Sequence, residues 1–513
     1  MIPTIKSLIQ GDRSVQLWLT GFIWTAVLLG LIAINYILPI PDIIDFRGLG
    51  AICGLMDMDI KYCVNNNWGF AHPLSCWLLT KLTGDLFISQ RLLNALFISI
   101  YILLLIRMVR SAYGGLSWRS VGCILVFICS PWLVDAAVST HLDIIPITLV
   151  FAAVSLIFQR RSFAAYAIAG LIAGSAYWFR FHFLPMALLL PILAGIVGKE
   201  RKKEVRSAFA AALGVLVAIS VPHILSLLAY GIFSTNNGRF VVGEALGTRD
   251  WSYESTVRVA NTSIIDLLKS FNAKQFILKY GYHFITSGLF PLLIIVAIVV
   301  KDYYHENGKT IKAFFTGSDT HCRIILFVAM AAIAVLPFTL LRGFTFRLEA
   351  AFVLCAIPMV VGAVYDKSSK RAWIVFILII FSIAVQQTRY WPALQAHKSN
   401  VIAIERIISD NVPRDVLANR PDKVICCVEY YNPYNKYKLC NMIVFGGWGT
   451  RSKPMIERYG LLHLLDPFEN ETYVKAEYIF LPYRRDVLNY TDELLLRNRT
   501  IYKDNNIVIL QRK

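Results

Sequence analysis

Long apolar segments recur through the first 388 residues of the chain and limit its fold more than any other feature. Hydrophobic residues make up 57% of the 513-residue sequence, whereas charged residues make up only 16%. A soluble domain carries roughly 25% charged residues. A mean hydropathy of +0.56 therefore leaves too little polar surface to cover a soluble chain of this size. An ordinary soluble enzyme is excluded, and the sequence predicts a chain solvated by lipid.

Eleven of these segments are predicted to cross the membrane as helices. A bilayer core of about 30 Å needs roughly 20 apolar residues of helix, and fewer where a helix is buried in a bundle or broken. The first segment is too long for the core of a signal peptide, so we expect a retained helix. The predicted spans lie near residues 15–40, 86–106, 120–140, 144–158, 163–179, 184–198, 207–230, 285–300, 324–341, 348–365 and 372–388.

Basic residues concentrate in the short loops on one side of this arrangement. Lys and Arg accumulate in short cytoplasmic loops, so these loops and the N-terminus are predicted to be cytoplasmic. The loops are residues 107–119, 159–162, 199–206, 301–323 and 366–371. Most of the net charge of +18 is then a topology signal, and no nucleic-acid partner is expected. Because the number of spans is odd, the C-terminus is predicted to lie outside.

The segment from 389 to 513 has a different pattern. Its hydrophobic runs shrink to strand length, as in VICCV, YIFL and IVIL, and turn signals such as NPYN and GGWGT separate them. The predicted fold class is therefore a polytopic α-helical membrane protein, with a transmembrane module at 1–388 and a small extracytoplasmic α/β domain at 389–513.

The ten cysteines show no disulfide framework. Three of them lie in the first outer loop and three in the tail, so each set could supply one bridge in an oxidising compartment and leave one thiol over. These are Cys53, Cys63 and Cys76, and Cys426, Cys427 and Cys440.

Ionisable residues at the predicted outer boundary are candidates for function, because a charge near hydrocarbon is costly and usually faces a cavity or a partner. Asp42 and Asp45 come directly after the first span, and His72 opens an amphipathic stretch in the same outer loop, 41–85. The apolar face of that loop is too short to cross the bilayer, and the loop is too apolar to be free in water. It is therefore expected to lie along the interface between membrane and water. This arrangement suits a lipid-carried substrate.

Several motifs follow one another in a recognisable order on this outer side. Asp45 after the first span is followed by His72-Pro73-Leu74 and then by Arg-Leu-Leu-Asn-Ala-Leu at 91–96. Next come Ser130-Pro131 and Asp143. The last two motifs are GLIAGSAYWFRFHFLPMALLL, with Arg180 and His182, and GFTFRLEAAFVLCAIP, with Arg347. This order resembles the GT-C glycosyltransferases, which include protein O-mannosyltransferases, lipid A aminoarabinose transferases and phage-encoded O-antigen glucosyltransferases.

Two departures favour the last branch. Protein O-mannosyltransferases have an Asp-Glu pair where this chain has Asp45-Phe46, and a double Pro where it has only Pro73. The resemblance then implies an inverting hexosyltransferase of the bacterial inner membrane. It would move a hexose, glucose being expected, from a polyprenyl phosphate to an acceptor hydroxyl of O-antigen or lipopolysaccharide at the periplasmic face. A transporter or flippase, or a polymerase or ligase, of lipid-linked glycans is the alternative.

The resemblance also implies roles for single residues. Asp45 would be the general base that takes the proton of the acceptor hydroxyl. Asp143 would orient the acceptor, hold a divalent cation (Mg²⁺ or Mn²⁺) together with Asp45, or fix an arginine. Arg180 and Arg347 would stabilise the charge that develops on the leaving phosphate. Further candidates for substrate or phosphate binding are Arg342, Lys81, His72, Asp42 and His182.

Each of these residues also has a structural interpretation. Asp45 and Asp143 would serve equally well to begin a helix, since Asp is a favoured N-cap residue. His72 before a proline would mark the turn into a helix. Arg180 and Arg347 would anchor helices to lipid head groups.

Overall fold

The structure is a computed structural model. It describes residues 13–37, 69–84, 86–138, 143–160, 162–180, 183–197, 201–230, 289–306, 324–334, 346–365, 369–419, 423–427, 441–444, 462–463, 477–482, 498–504 and 507–513. The helices in these ranges are α1 (Arg13–Ile37), α2 (Ala71–Thr83), α3 (Leu86–Tyr113), α4 (Trp118–Ile128), α5 (Pro131–Val138), α6 (Ile144–Gln159), α7 (Phe163–Phe179), α8 (Leu184–Val197), α9 (Arg201–Tyr230), α10 (Leu289–Glu306), α11 (Ile324–Ala334), α12 (Phe346–Tyr365), α13 (Ser369–Asn411) and α14 (Arg414–Asn419).

Within the described ranges, strands occur only in the C-terminal part of the chain. They are β1 (Val424–Cys427), β2 (Asn441–Val444), β3 (Leu462–His463), β4 (Tyr478–Pro482), β5 (Asn498–Lys503) and β6 (Ile507–Arg512). The expectation of a mostly helical chain with a strand-bearing C-terminus is therefore confirmed.

Three helices of the described chain are long and apolar enough to cross a membrane. They contain the segments Ser89–Tyr113 of α3, Val205–Leu228 of α9 and Ala372–Pro392 of α13. The bent pair α4 and α5 counts as a fourth if it forms one broken span. Shorter apolar helices lie in six of the other seven predicted segments, all but 285–300, and the number of eleven spans stays a prediction. The chain thus has helices suited to a membrane.

The break between α4 and α5 has a local cause in the sequence. Pro131 has no N–H to continue the α4 ladder, and the two helices meet at an angle of 55°. Ser130 donates to the Phe127 carbonyl from its backbone N–H at 3.0 Å and from its hydroxyl at 2.6 Å. The side-chain amide of Gln387 in α13 donates to the Cys129 carbonyl at 3.2 Å. Carbonyls exposed by the break are thereby satisfied.

Glycines allow α7 and α9 to pack closely. A Cβ added at Gly170 would collide with the carbonyl oxygen of Ala211, and one added at Gly214 would collide with the carbonyl oxygen of Ala167. Small residues let membrane helices approach backbone to backbone. The close packing fixes α7, which carries Arg180 at its C-terminal end.

The helices α6 and α7 form an antiparallel pair. The connection between them is short, and the Ser162 hydroxyl caps α7 by accepting from the Ala165 N–H at 3.2 Å. Asp143 directly precedes α6 and Arg180 directly follows α7. Because the helices run in opposite directions, these two residues lie at the same end of the pair.

The chain divides into two compact units. One unit comprises residues 1–38, 63–235 and 272–390, and the other comprises residues 39–62, 236–271 and 391–513. The described part of the second unit contains a mixed sheet with the strand order β3-β2-β1-β4-β6-β5. Strands β1 to β4 pair in parallel, and β6 pairs antiparallel with both β4 and β5.

Helical and strand residues share the apolar core of this second unit. Ile408, at the end of α13, and Val416 of α14 are buried with Tyr478 of β4 and with Ile507 and Ile509 of β6. The side chains of β6 are buried from Ile507 to Leu510, which accounts for the unbroken apolar run IVIL.

Candidate functional site

Three of the predicted site residues come together at one end of the α6–α7 pair. His72 is the second residue of α2, Asp143 directly precedes α6, and Arg180 directly follows α7. The Arg180 Nε lies 3.2 Å from the Asp143 Oδ1. Arg180 is also close enough to His72 for its charge to affect the imidazole. We call these three residues the His72–Asp143–Arg180 cluster.

The ion pair at the centre of the cluster is buried. The side chain of Arg180 is 6% exposed and that of Asp143 is 11% exposed. An arginine that anchors a helix to lipid head groups would extend outwards, so this burial disagrees with the anchor interpretation of Arg180. A buried pair seldom stabilises a fold more than apolar residues of the same volume would. Its presence here calls for another explanation, such as a role in binding.

Asp143 occupies the N-cap position of α6 without capping it. Its backbone is in the helical region, and its side chain makes no capping hydrogen bond. The carboxylate faces Arg180 instead. Of the three roles that the resemblance implies for Asp143, the structure matches the one in which it fixes an arginine. Asp143 does stand where α6 begins, as the helix-cap interpretation expects, but its side chain does not make the capping bond.

His72 is buried within the cluster and uncharged at neutral pH. Burial, and then repulsion by the Arg180 charge, lower its pKa from 6.5 to about 3. Its Nε2 lies 3.2 Å from the Sγ of Cys76, one helical turn further along α2. Its Nδ1 is buried and has no hydrogen-bond partner within the described part of the chain.

Cys76 is a buried free thiol, so it forms no bridge with Cys53 or Cys63. Burial raises its pKa to about 12, and the thiol therefore keeps its proton. Prediction from the sequence missed this residue as a part of the site. The spacing of four residues between His72 and Cys76 was the available signal, because such residues meet on one face of a helix.

A glycine and two aromatic rings dock the beginning of α2 beside Arg180. Gly69 has a left-handed backbone with φ of +91°, and a Cβ at this position would collide with the carbonyl oxygen of Trp178. The ring of Phe70 lies 5.5 Å from that of Trp178, and the Trp178 indole N–H donates to the Ala218 carbonyl at 2.6 Å. These contacts place His72 next to the end of α7.

The opposite end of α2 is tied to α3. The Thr80 hydroxyl donates to the Ser89 hydroxyl at 3.1 Å, and the Thr83 and Ser89 hydroxyls lie 2.6 Å apart. Lys81 is exposed here, with its Nζ 5.3 Å from the centre of the Trp77 ring. Nine residues of helix, or about 13 Å, separate it from His72. Lys81 is therefore not brought into the cluster.

The remaining predicted residues cannot be placed beside these three. Arg347 is the second residue of α12, but its side chain is not described. Asp42, Asp45, Arg342 and His182 lie outside the described residues. The roles proposed for them, including that of Asp45 as general base, stay predictions.

A divalent cation finds no ready site in the described ranges. No group of three His, Cys, Asp or Glu side chains there is arranged to hold a metal ion. The Asp143 carboxylate, which was one expected ligand, is in contact with Arg180.

Chemically, the cluster combines a fixed cation, the carboxylate that holds it and a neutral imidazole. Fixed donors of this kind stabilise negative charge that develops on an oxygen atom. Comparison of the chain with models of protein families and with curated proteins finds no match.

Proposed function

We propose that this protein is a membrane glycosyltransferase of the GT-C type. It would transfer a hexose, glucose being the first choice, from a polyprenyl phosphate to a hydroxyl of O-antigen or lipopolysaccharide. The observation that carries the proposal is the buried Asp143–Arg180 ion pair, with neutral His72 beside it. These residues stand at three of the motifs on which the family resemblance rests.

The transfer requires stabilisation of a leaving phosphate. The acceptor oxygen forms a bond to the anomeric carbon while its proton passes to the Asp45 carboxylate. The bond between that carbon and the phosphate oxygen breaks, and its electron pair goes to the oxygen. The donor phosphodiester thereby becomes a phosphomonoester with one more negative charge. One attack from the opposite face inverts the anomeric centre.

Arg180 is well suited to this leaving group. A guanidinium matches the geometry of phosphate oxygens, and a buried one acts in a medium of low dielectric constant. The contact with Asp143 orients the guanidinium before the substrate arrives. Asp143 is thus a positioning residue in this proposal, and Arg180 is the residue that contacts the phosphate.

The proposed location is a bacterial inner membrane, with a cytoplasmic N-terminus and a periplasmic C-terminal domain. Basic residues in the short loops support this orientation. It places Asp143 and Arg180, which share one end of the α6–α7 pair, on the periplasmic side. A lipid-linked sugar donor and a glycan acceptor would meet there at the membrane surface.

The experiment uses the full chain in nanodiscs with radiolabelled polyprenyl-phosphate glucose and lipopolysaccharide. We expect the label to move to lipopolysaccharide with wild-type protein, and not with Arg180→Gln. Lys81→Ala is the matched control, because Lys81 is exposed and lies at the opposite end of α2 from His72. Its rate should equal that of the wild type.

Other outcomes would contradict the proposal. If the labelled donor crosses the membrane of a proteoliposome and no new glycosidic bond forms, the protein is a transporter or flippase. Transfer of a preassembled glycan block would identify a polymerase or ligase. Equal transfer by Arg180→Gln and wild-type protein would remove Arg180 from the site.

A further inference from the structure

Cys76 contacts the one ring nitrogen of His72 that has a partner in the described chain. The two atoms, Sγ and Nε2, are 3.2 Å apart, and both side chains are buried. Burial raises the pKa of the thiol to about 12 and lowers that of the imidazole to about 3. At neutral pH both groups are uncharged, and each carries one hydrogen that it can donate.

The contact selects one tautomer of His72. A neutral imidazole has one N–H and one unprotonated nitrogen, and the bond made by one nitrogen decides the state of the other. A thiol sulfur is a weak acceptor, whereas an unprotonated imidazole nitrogen is a good one. The better arrangement has the Cys76 S–H donating to Nε2, which leaves the ring proton on Nδ1.

The Nδ1–H is then a buried donor that has no acceptor in the described part of the chain. A buried donor without a partner is costly, so its position points to a ligand. Gly69 and Phe70, just before His72, pack against Trp178, two residues before Arg180, so the beginning of α2 lies beside the end of α7 that carries the cation. A neutral N–H donor and a guanidinium at one place suit an anionic oxygen, and a phosphate oxygen above all.

We propose that Cys76 is a positioning residue, which holds His72 with its proton on Nδ1 so that His72 and Arg180 together bind a phosphate oxygen. This inference rests on the proposed function for its substrate, a lipid phosphate. His72 transfers no proton in this scheme. Its hydrogen bond becomes stronger as the leaving phosphate gains negative charge.

The first measurement identifies the protonated nitrogen. Full-length protein with ¹⁵N-labelled histidine is reconstituted in nanodiscs, and the His72 signals are assigned by their loss in His72→Gln. We expect protonated Nδ1 in the wild type and in Cys76→Ser, since a hydroxyl also donates to Nε2. In Cys76→Ala the proton should be shared between the two nitrogens. Protonation of Nε2 in the wild type would overturn the proposal.

The second measurement is the affinity for phosphate ligands, followed by tryptophan fluorescence. Loss of an aligned donor to a charged oxygen should weaken the binding of farnesyl phosphate roughly tenfold in Cys76→Ala. Cys76→Ser should stay within about twofold of the wild type. Cys123→Ala removes another buried thiol, in α4, and serves as the control for loss of packing. An equal loss in Cys123→Ala, or none in Cys76→Ala, would refute the role of Cys76.

Inorganic phosphate is the second ligand and identifies the source of the phosphate. If its affinity depends on Cys76 as much as that of farnesyl phosphate does, the site binds the phosphate group alone. If only farnesyl phosphate shows the dependence, the site requires a lipid phosphate. Both results support the proposal.

The same variants separate this proposal from the proposed function. Binding that depends on Cys76, without any hexose transfer by the wild type, would leave the phosphate site standing and refute the glycosyltransferase. Hexose transfer by Cys76→Ala with the kcat and KM of the wild type would support the glycosyltransferase and refute the role of Cys76.

Discussion

The buried ion pair allows the sharpest prediction about stability. Asp143→Asn keeps the size of the side chain but removes the charge opposite Arg180, 3.2 Å away. The guanidinium would then lose the charge of this carboxylate in a place where its side chain is only 6% exposed. Removal of one partner of a buried pair costs about 3–5 kcal/mol, a large part of the roughly 5–15 kcal/mol that stabilises a typical domain.

The double variant shows whether the two charges compensate each other. Arg180→Gln leaves the Asp143 carboxylate without its cation, so it should destabilise the protein by a similar amount. Asp143→Asn/Arg180→Gln removes both charges together, and we expect it to recover most of the loss, to within about 2 kcal/mol of the wild type. It should nevertheless lose most of its hexose transfer, because the leaving phosphate would no longer meet the Arg180 cation.

Reversible unfolding in mixed micelles, as the SDS fraction is raised, measures these free energies. Lys81→Ala is the reference, because loss of its cation–π contact with Trp77 should cost only about 0.5–1 kcal/mol. Two results would refute the reasoning: an Asp143→Asn protein within about 1 kcal/mol of the wild type, or single effects that simply add in the double variant.

Three further predictions concern other parts of the molecule. Gly174→Val should destabilise the protein by about 1–3 kcal/mol, because a Cβ there would lie 2.6 Å from a side chain of α9. Gly122→Val is the control, because nothing lies within 4 Å of a Cβ at Gly122. The free energy of unfolding of both variants is measured in SDS. Folded His72 takes up no proton until the pH reaches about 3, whereas unfolded His72 is protonated below about pH 6.5. The free energy of unfolding should therefore fall as the pH is lowered from about 6.5 to about 3, by up to about 1.4 kcal/mol per pH unit. His72→Gln should reduce this slope, and an unchanged slope would show that His72 is already charged when folded. Asp504→Ala removes acceptors for the Ile507 N–H at 2.8 Å and for the Tyr502 hydroxyl at 3.1 Å, so thermal unfolding should show a loss of about 1–2 kcal/mol.

The helices could be predicted because hydropathy is a local property. Apolar segments such as 144–158 and 163–179 coincide with α6 and α7 almost to the residue. The division of the third predicted span, 120–140, into α4 and α5 was not predicted, although Pro131 marks the position of the break. The hydrogen bond from the Gln387 side chain to the Cys129 carbonyl, at the end of α4, could not be predicted, because more than two hundred residues separate donor and acceptor.

The site could be predicted residue by residue but not as an arrangement. Asp143, Arg180 and His72 were identified as candidates, yet three roles remained open for Asp143. The choice among them depends on which side chain the fold brings opposite the carboxylate. Cys76 escaped notice because its importance comes from burial and from the nitrogen it contacts, and neither is written in the local sequence.

Gly69 has a consequence for how the length of this chain can vary among related sequences. Its left-handed backbone and its approach to the carbonyl of Trp178 exclude every other residue, so it fixes one point of the chain at the end of α7. Between this point and His72 there are only two residues. Each residue of a helix turns the next side chain by about 100°, so a single insertion or deletion there would rotate the imidazole away from Arg180. Relatives that keep the site should therefore vary in length before Gly69 and never between Gly69 and His72.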